Sequence, residues 1–159
     1  MGQTVFKLIC ISAVIFGLVS CKEEIAQVGR AAPEIAAYDM SGQEAKLADW
    51  QGVRLLTFWS SSCGVCMAEL KELENLAAAY PNKVALIAVN VDNEQVDLQT
   101  VIHKYRLNLP IVRDQLKITG ERYRVIGTPT SFVIDPQGII MTKFEGLIPK
   151  AQLHTLFQG

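Results

Sequence analysis

The sequence predicts one α/β domain in which a mixed central sheet is covered by helices on both faces. Two largely apolar runs, 53–59 and 84–91, are typical of parallel strands that are buried on both faces. A helical pattern follows each run, which is the order of parallel β-α-β units. A strand, a turn and a second strand then occupy 127–140, and a last helical pattern ends the chain. A parallel unit followed by an antiparallel hairpin implies a mixed sheet.

Length and composition are those of a single folded domain. The chain has 159 residues, of which 50% are hydrophobic and 19% are charged, and its formal net charge is −1. This balance excludes a largely disordered chain. No basic block or stripe is present, so nucleic acid is not an expected partner.

The N-terminus has the features of an export signal. Lys7 precedes twelve mostly apolar residues, 8–19, which are too few for a spanning helix of about 20 residues. The run ends Leu18-Val19-Ser20-Cys21, which resembles the lipobox of bacterial lipoproteins. We therefore expect residues 1–20 to be a signal peptide and residues 21–32 to be a lipidated N-terminus and tether. The alternative is a plain signal peptide or short anchor in which Cys21 is coincidental.

The first elements of the domain surround the first buried strand. Residues 35–47 predict a hairpin, because Ser41-Gly42 is a turn signal between two short strand patterns. Residues 47–52 predict a helical turn that a glycine closes. Val53 to Trp59 is the first central strand.

The next helix is predicted from Cys63 to Tyr80, where Pro81 ends it. Ser60, Ser61 and Ser62 each offer a hydroxyl that could cap its N-terminus. Its inner face is expected to carry the apolar residues at helical spacing, namely Cys66, Leu70, Leu73, Ala77 and Tyr80.

After the strand at 84–91, the pattern predicts an amphipathic helix at 94–106, with Leu98, Val101, Ile102 and Tyr105 facing inward. A short strand at 109–112 and a helical turn at 115–123 follow. Pro129 opens the next strand, where a missing N–H is tolerated. The last helix starts at Pro149, a favoured first-turn residue.

Cys63 and Cys66 form a C-x-x-C pair where the first central strand ends and a helix begins. The unpaired N–H groups and the positive end of the helix dipole favour a thiolate there, and thiolates are the nucleophiles of disulfide exchange. We expect Cys63 to be exposed and reactive, and Cys66 to be shielded and to close the ring. The other interpretations are a structural disulfide and a metal clip, but a zinc site needs four ligands and His103 and His154 are expected at the surface. No metal and no cofactor are therefore expected.

The order of these elements resembles the thioredoxin fold, from the C-x-x-C after an apolar strand to Gly127-Thr128-Pro129-Thr130 before a later one. The N-terminal hairpin, residues 47–52 and the extra helix at 94–106 resemble the TlpA/ResA branch, over residues 33–159. Members of that branch are membrane-anchored, extracytoplasmic thiol–disulfide oxidoreductases. The resemblance implies that this chain reduces disulfides of extracytoplasmic proteins, such as apocytochrome c, and that a membrane redox partner recharges it.

The same resemblance implies the other residues of the site. Pro129 would be cis and would lie beside Cys63, while the backbone of Thr128 would bind a substrate peptide. Trp59 is expected to lie partly in the core and partly in the wall of the site.

This sequence departs from many relatives at three positions. Ser62 and Val65 stand where Trp and Pro are common, and the buried aspartate of thioredoxins falls at Thr57. Glu69 follows Cys66 as in the C-x-x-E of the ResA-like branch, and its helical stripe suggests half-burial. Glu69 is thus the candidate carboxylate that tunes Cys66.

Two other functions remain open on sequence grounds. A peroxidase of the same fold usually carries P-x-x-x-[ST]-x-x-C, and here Leu56 stands at the proline position before Cys63. A copper carrier would use soft thiolates, but relatives of that kind tend to have C-x-x-x-C with a distant histidine. Both patterns fit this sequence less well than exchange does.

Overall fold

The computed structural model of the protein describes residues 24–159, which contain seven strands, four α-helices and a short 3-10 turn at Leu47–Asp49. The strands are β1 (Ala37–Asp39), β2 (Glu44–Ala45), β3 (Val53–Trp59), β4 (Val84–Asn90), β5 (Ile111–Arg113), β6 (Thr130–Ile134) and β7 (Ile140–Glu145). The helices are α1 (Gly64–Ala79), α2 (Leu98–Tyr105), α3 (Ile118–Arg122) and α4 (Lys150–Gln158). Cys10, Cys21 and the predicted signal peptide lie outside the described residues.

All seven strands form one mixed sheet in the order β2-β1-β5-β4-β3-β6-β7. The three central strands β3, β4 and β5 are parallel to one another. The outer strands are antiparallel to their neighbours: β1 pairs with β2 and β5, and β6 pairs with β3 and β7. The carboxyl ends of β3 and β4 therefore meet at one edge, where Trp59 pairs with Asn90.

Strand β3 holds the two halves of the core together because its side chains alternate between the faces of the sheet. Leu55 and Trp59 point to one hydrophobic cluster, while Leu56 and Phe58 point to the other. All four side chains are fully buried. This double burial explains why the strand is apolar in the sequence at every position except Arg54 and Thr57.

One face of the sheet is covered by α1, α2 and α4. Leu70 and Leu73 from α1, Leu98 from α2, and Leu153 and Phe157 from α4 belong to a single buried cluster. The opposite face is covered by α3, the 3-10 turn and the N-terminal segment. Its centre is aromatic: three buried rings, with centroids 5.0–6.0 Å apart, belong to Phe58, Tyr123 and Phe132. The expected covering of both faces is confirmed.

Residues 26–36, which we call the N-terminal strap, lie along the second face. The N–H of Ala26 donates to the carbonyl of Arg122 at 2.8 Å, and the N–H of Ala32 donates to the carbonyl of Gly138 at 2.8 Å. Residues 26–32 were expected to be part of a tether, but these backbone hydrogen bonds hold them against the domain.

Helix α2 is shorter than the pattern predicted. It begins at Leu98, because the carboxylate of Asp97 caps it by accepting the N–H of Thr100 at 3.2 Å. Tyr105, expected to face inward, is 38% exposed. The chain leaves the helix at Arg106 with a left-handed φ of 51°, so the following Leu107 occupies the buried position.

Candidate active site

Cys63 and Cys66 form a disulfide at the carboxyl end of β3, with sulfur atoms 2.03 Å apart. Cys63 is half-buried. Cys66 lies in the first turn of α1, on its covered side, and is only 1% exposed. Cys66 is shielded as expected, whereas Cys63, which was expected to be exposed, is half-buried and is the more accessible of the two sulfurs.

The N-terminus of α1 is capped by Cys63 and not by a serine. The sulfur of Cys63 accepts the N–H of Cys66 at 3.2 Å, which places a sulfur atom where a serine hydroxyl was expected. The serines cannot do this because the helix begins only at Gly64, and Ser62 is thus one residue too early. An N–H donor and the helix dipole both stabilise negative charge on the Cys63 sulfur.

The loop before β6 forms the second wall of the site. The peptide bond between Thr128 and Pro129 is cis, as the resemblance implied. The carbonyl oxygen of Thr128 lies 3.6 Å from the sulfur of Cys63. The carbonyl of Pro129 accepts the N–H of Gly146 at 2.9 Å, so the loop after β7 is attached to the same wall.

Two clefts flank this wall, and both are lined by Ile126, Gly127 and Thr128. The larger cleft, of about 380 Å³, extends from Ser60 toward α3. The smaller cleft, of about 290 Å³, extends toward Gly146. The side chain of Ile126 stands between them and is 94% exposed.

Glu69 is buried more deeply than its stripe suggested, with 4% of the residue exposed. One carboxylate oxygen, Oε1, accepts the N–H of Ile148 at 2.7 Å, which joins α1 to the loop before α4. Burial raises the pKa of the Glu69 carboxyl above its usual range; the hydrogen bond from Ile148 opposes this shift and the charge of Glu72 adds to it. Glu69 lies one helical turn after Cys66, on the covered side of α1.

Trp59 does not form a wall of the site, which corrects the expectation for its side chain. Trp59 is 0% exposed, and its ring belongs to the cluster beneath α1 together with Cys66 and Met67. The physical reason is that α1 starts directly above the end of β3 and closes over the indole. A substrate bound at the surface cannot contact this side chain.

Thr57 occupies the position of the thioredoxin aspartate and is paired with another hydroxyl. Its Oγ1 lies 2.6 Å from the Oγ of Ser131, and both residues are buried. The two side chains face each other across β3 and β6. One hydroxyl donates to the other, so each has a hydrogen-bond partner without any group that ionises near neutral pH.

Two residues at the end of β4 were missed by sequence reasoning. Asn90 is fully buried, and Asp92 accepts the N–H of Ser61 at 2.8 Å. The available signal was topological, because the carboxyl ends of neighbouring parallel strands meet at one edge and polar residues there reach the same loop.

Among residues 24–159, no helix is long and apolar enough to cross a membrane. The same part of the chain holds no group of three or more potential metal-ligating side chains. His103 and His154 are both exposed, as expected.

Comparison with known proteins agrees with this geometry. A model of the AhpC/TSA family matches residues 28–143. The thiol-disulfide oxidoreductase ResA of Bacillus thuringiensis subsp. konkukian (strain 97-27) is 31% identical over 157 residues, which cover 96% of this chain and 91% of the relative. The thioredoxin-like protein YneN of Bacillus subtilis (strain 168) is 30% identical, over 85% of this chain and 81% of the relative.

Solved structures give the same result. The thioredoxin domain of a thiol-disulfide oxidoreductase from Bacteroides vulgatus superposes with a TM-score of 0.73 at 26% identity, covering 84% of this chain and 97% of that domain. StoA from Bacillus subtilis superposes with a TM-score of 0.66 at 26% identity, covering 79% of this chain and 96% of StoA. The predicted thioredoxin-like fold is confirmed. The chain belongs to the AhpC/TSA family and is a ResA-like thiol–disulfide oxidoreductase with a thioredoxin fold.

Proposed function

We propose that this enzyme reduces disulfide bonds of extracytoplasmic proteins, with Cys63 as the attacking thiolate and Cys66 as the resolving thiol. The thiolate of Cys63 attacks one sulfur of the substrate disulfide, and the other substrate sulfur leaves as a thiolate. Cys66 then loses its proton and its thiolate attacks the sulfur of Cys63, which breaks the mixed disulfide and releases the second substrate sulfur as a thiolate. The products are a substrate dithiol and the Cys63–Cys66 disulfide, so two electrons pass to the substrate.

The observation that carries this assignment is the difference between the two sulfur atoms. Cys63 is accessible and accepts the N–H of Cys66, whereas Cys66 is 1% exposed. An incoming disulfide can reach only the first sulfur. The second is held close enough to release the substrate once the mixed disulfide has formed.

Substrate binding is proposed at the cis-proline loop. The smaller cleft passes over Thr128 and Pro129 and ends at Gly146, with the sulfur of Cys63 3.6 Å from the Thr128 carbonyl. An extended segment lying in this cleft could form backbone hydrogen bonds to Thr128. Its cysteine would then lie against Cys63.

Glu69 is proposed to tune Cys66 by holding a proton one helical turn away. Its carboxyl is buried and has a raised pKa, so it can exchange a proton near neutral pH more readily than an exposed glutamate. A negative charge at this place disfavours a thiolate at Cys66 while Cys63 attacks. We expect Glu69→Gln to lower the pKa of Cys66 and to slow resolution of the mixed disulfide. Unchanged thiol titration and exchange rates would refute this role.

Export and anchoring complete the proposal. The lipobox-like Leu18-Val19-Ser20-Cys21 supports cleavage before Cys21 and attachment of lipid to it, which would hold the enzyme on the outer side of a membrane. A membrane redox partner would return electrons to the Cys63–Cys66 pair, and apocytochrome c is the candidate substrate. Cys21→Ser should release the protein from membranes; a variant that stays bound would point to an uncleaved anchor.

The decisive experiment traps the mixed disulfide. In a Cys66→Ser variant the intermediate cannot be resolved, so substrate proteins should remain covalently attached and be released by a reducing agent. Cys63→Ser is the matched control and should trap nothing. Equilibration of the wild-type pair with glutathione tests the direction, for which a reductant should lie toward the thioredoxin value of about −270 mV. A potential near the DsbA value of about −120 mV would make the enzyme an oxidant.

A further inference from the structure

A partly buried polar network joins the end of β4 to the loop that carries Cys63. Oδ2 of Asp92 accepts the N–H of Ser61 at 2.8 Å and the side-chain N–H of Asn90 at 2.9 Å. The N–H of Asp92 donates to Oδ1 of Asn90 at 3.2 Å. Asn90 is fully buried, so its amide is fixed and orients the carboxylate. The carboxylate thus links two strand ends that are adjacent in the sheet.

The loop has few other attachments before the helix begins. The N–H of Val91 donates to the carbonyl of Trp59 at 3.0 Å, and the N–H of Cys63 donates to the carbonyl of Ser60 at 3.1 Å. The second bond closes a tight turn within the loop itself. The bond from Ser61 to Asp92 is therefore the one that ties the middle of this turn to the sheet.

We infer that Asp92 is a positioning residue for the thiol–disulfide reaction: it fixes the turn that places Cys63 at the N-terminus of α1, and it puts a carboxylate against Ser61, two residues before the reacting cysteine. This inference rests on the proposed role of Cys63 as the attacking thiolate. Asp92 does not touch the substrate in this assignment. It affects the pKa of the Cys63 thiol in two ways, one of which lowers that pKa and the other of which raises it.

Fixing the turn lowers the pKa of the Cys63 thiol. The sulfur accepts the N–H of Cys66 and lies at the positive end of the helix dipole only while the turn holds it there. The charge on Asp92 has the opposite effect, because a nearby carboxylate disfavours a thiolate. The result is a nucleophile that is held in place but not over-stabilised as a thiolate, which suits a pair that must give its electrons away.

Other charged groups face this region and must stay constant in a test. Asp114, Lys117, Glu121 and Arg124 line the larger cleft together with Ser60. The guanidinium of Arg113 donates to the carbonyl of Asn93, next to Asp92, at 3.0 Å. Glu145 lines the smaller cleft, and Glu69 lies on the covered side of α1. None of these groups is changed by a substitution at Asp92, so a change in Cys63 titration would be assigned to Asp92.

The test compares Asp92→Asn with Asp92→Ala. Asparagine keeps the shape and an oxygen that can accept the Ser61 N–H, but it removes the charge; alanine removes both. Asp39→Asn is the matched control, because one carboxylate oxygen of Asp39 also accepts more than one N–H group, here the backbone N–H groups of Ser41 and Gln43, in the β1–β2 turn far from the site. The readouts are the pH profile of Cys63 alkylation in the reduced protein and the rate of disulfide reduction.

In Asp92→Asn the pKa of Cys63 should fall by about half a unit, as expected for one partly screened charge, while the turn and the fold remain intact. In Asp92→Ala the pKa should lie above that of Asp92→Asn, and the reduction rate should fall about tenfold or more because the nucleophile is less well held. Asp39→Asn should match the wild type. Identical Cys63 pH profiles in the wild type and Asp92→Asn, or equal shifts in Asp39→Asn, would overturn the inference. A wild-type protein that reduces no disulfide would instead refute the proposed function.

Discussion

The buried hydroxyl pair of Thr57 and Ser131 gives a quantitative test of the core beneath the active site. Their oxygens are 2.6 Å apart, and the residues are 2% and 0% exposed. Thr57→Val keeps the shape but leaves the Ser131 hydroxyl without its side-chain partner. Ser131→Ala in turn leaves the Thr57 hydroxyl without its side-chain partner. Each single change should lower the free energy of unfolding by about 1–3 kcal/mol, the usual cost of a buried polar group that loses its hydrogen bond.

The double variant should lose much less free energy of unfolding than the two single variants lose together. With both hydroxyls removed, no polar atom is left unpaired, and replacement of both partners by apolar groups is close to neutral. We therefore expect a coupling energy of at least about 1 kcal/mol between the two positions, measured in a double-mutant cycle.

Urea unfolding of the four proteins, all with the Cys63–Cys66 disulfide intact, gives this energy. The slope of the free energy against urea concentration should be the same in all four, which shows that the unfolded states are comparable. Additive effects, with a coupling energy near zero, would refute the assignment of the 2.6 Å contact between Thr57 and Ser131 as a mutual hydrogen bond.

Three further predictions concern stability. Because burial raises the pKa of Glu69, the wild type should lose stability relative to Glu69→Gln as the pH rises above the usual glutamate value of about 4.3; a difference in unfolding free energy that does not depend on pH would contradict this. Leu73→Ala leaves a cavity at a fully buried position and should lower the free energy of unfolding in urea by about 2–5 kcal/mol. Leu116 is 62% exposed, so Leu116→Ala should change this free energy by less than about 0.5 kcal/mol. Equal effects of the two substitutions would contradict the assigned core. Tyr123→Phe removes the 2.6 Å hydrogen bond to the carbonyl of Pro33 but keeps the buried ring. It should lower the free energy of unfolding by about 1 kcal/mol and lower the melting temperature. An unchanged melting temperature would contradict a stabilising role for this hydrogen bond.

The strands could be predicted from sequence where burial alone determines the pattern. Strand β3 has the predicted bounds, Val53–Trp59, because its side chains are covered on both faces and the run is apolar except at Arg54 and Thr57. Helix α1 lies within the predicted range for a similar reason, since its apolar residues recur at helical spacing. Both signals are local in the chain.

The details of the site depended on contacts between distant segments, which the local pattern does not contain. Glu69 was expected to be half-buried, but Ile148, 79 residues later, contributes a hydrogen bond that only a buried position allows. Trp59 was expected to lie partly in the wall of the site, because periodicity does not show how closely α1 covers the end of its strand. Asp92 was missed because its partner Ser61 is 31 residues away and becomes its neighbour only through the pairing of β3 with β4.

The N-terminal strap fixes how far the enzyme can move if Cys21 carries lipid as proposed. Ala26 is already bonded to Arg122, so only residues 22–25 separate the lipid site from the folded domain. An extended chain gains at most about 3.6 Å per residue, so the domain would stay within about 18 Å of the lipid headgroups. Encounters with a membrane partner would then be a two-dimensional search at high effective concentration. Soluble substrates would have to come to the membrane surface, and lengthening the segment at 22–25 would relax that restriction.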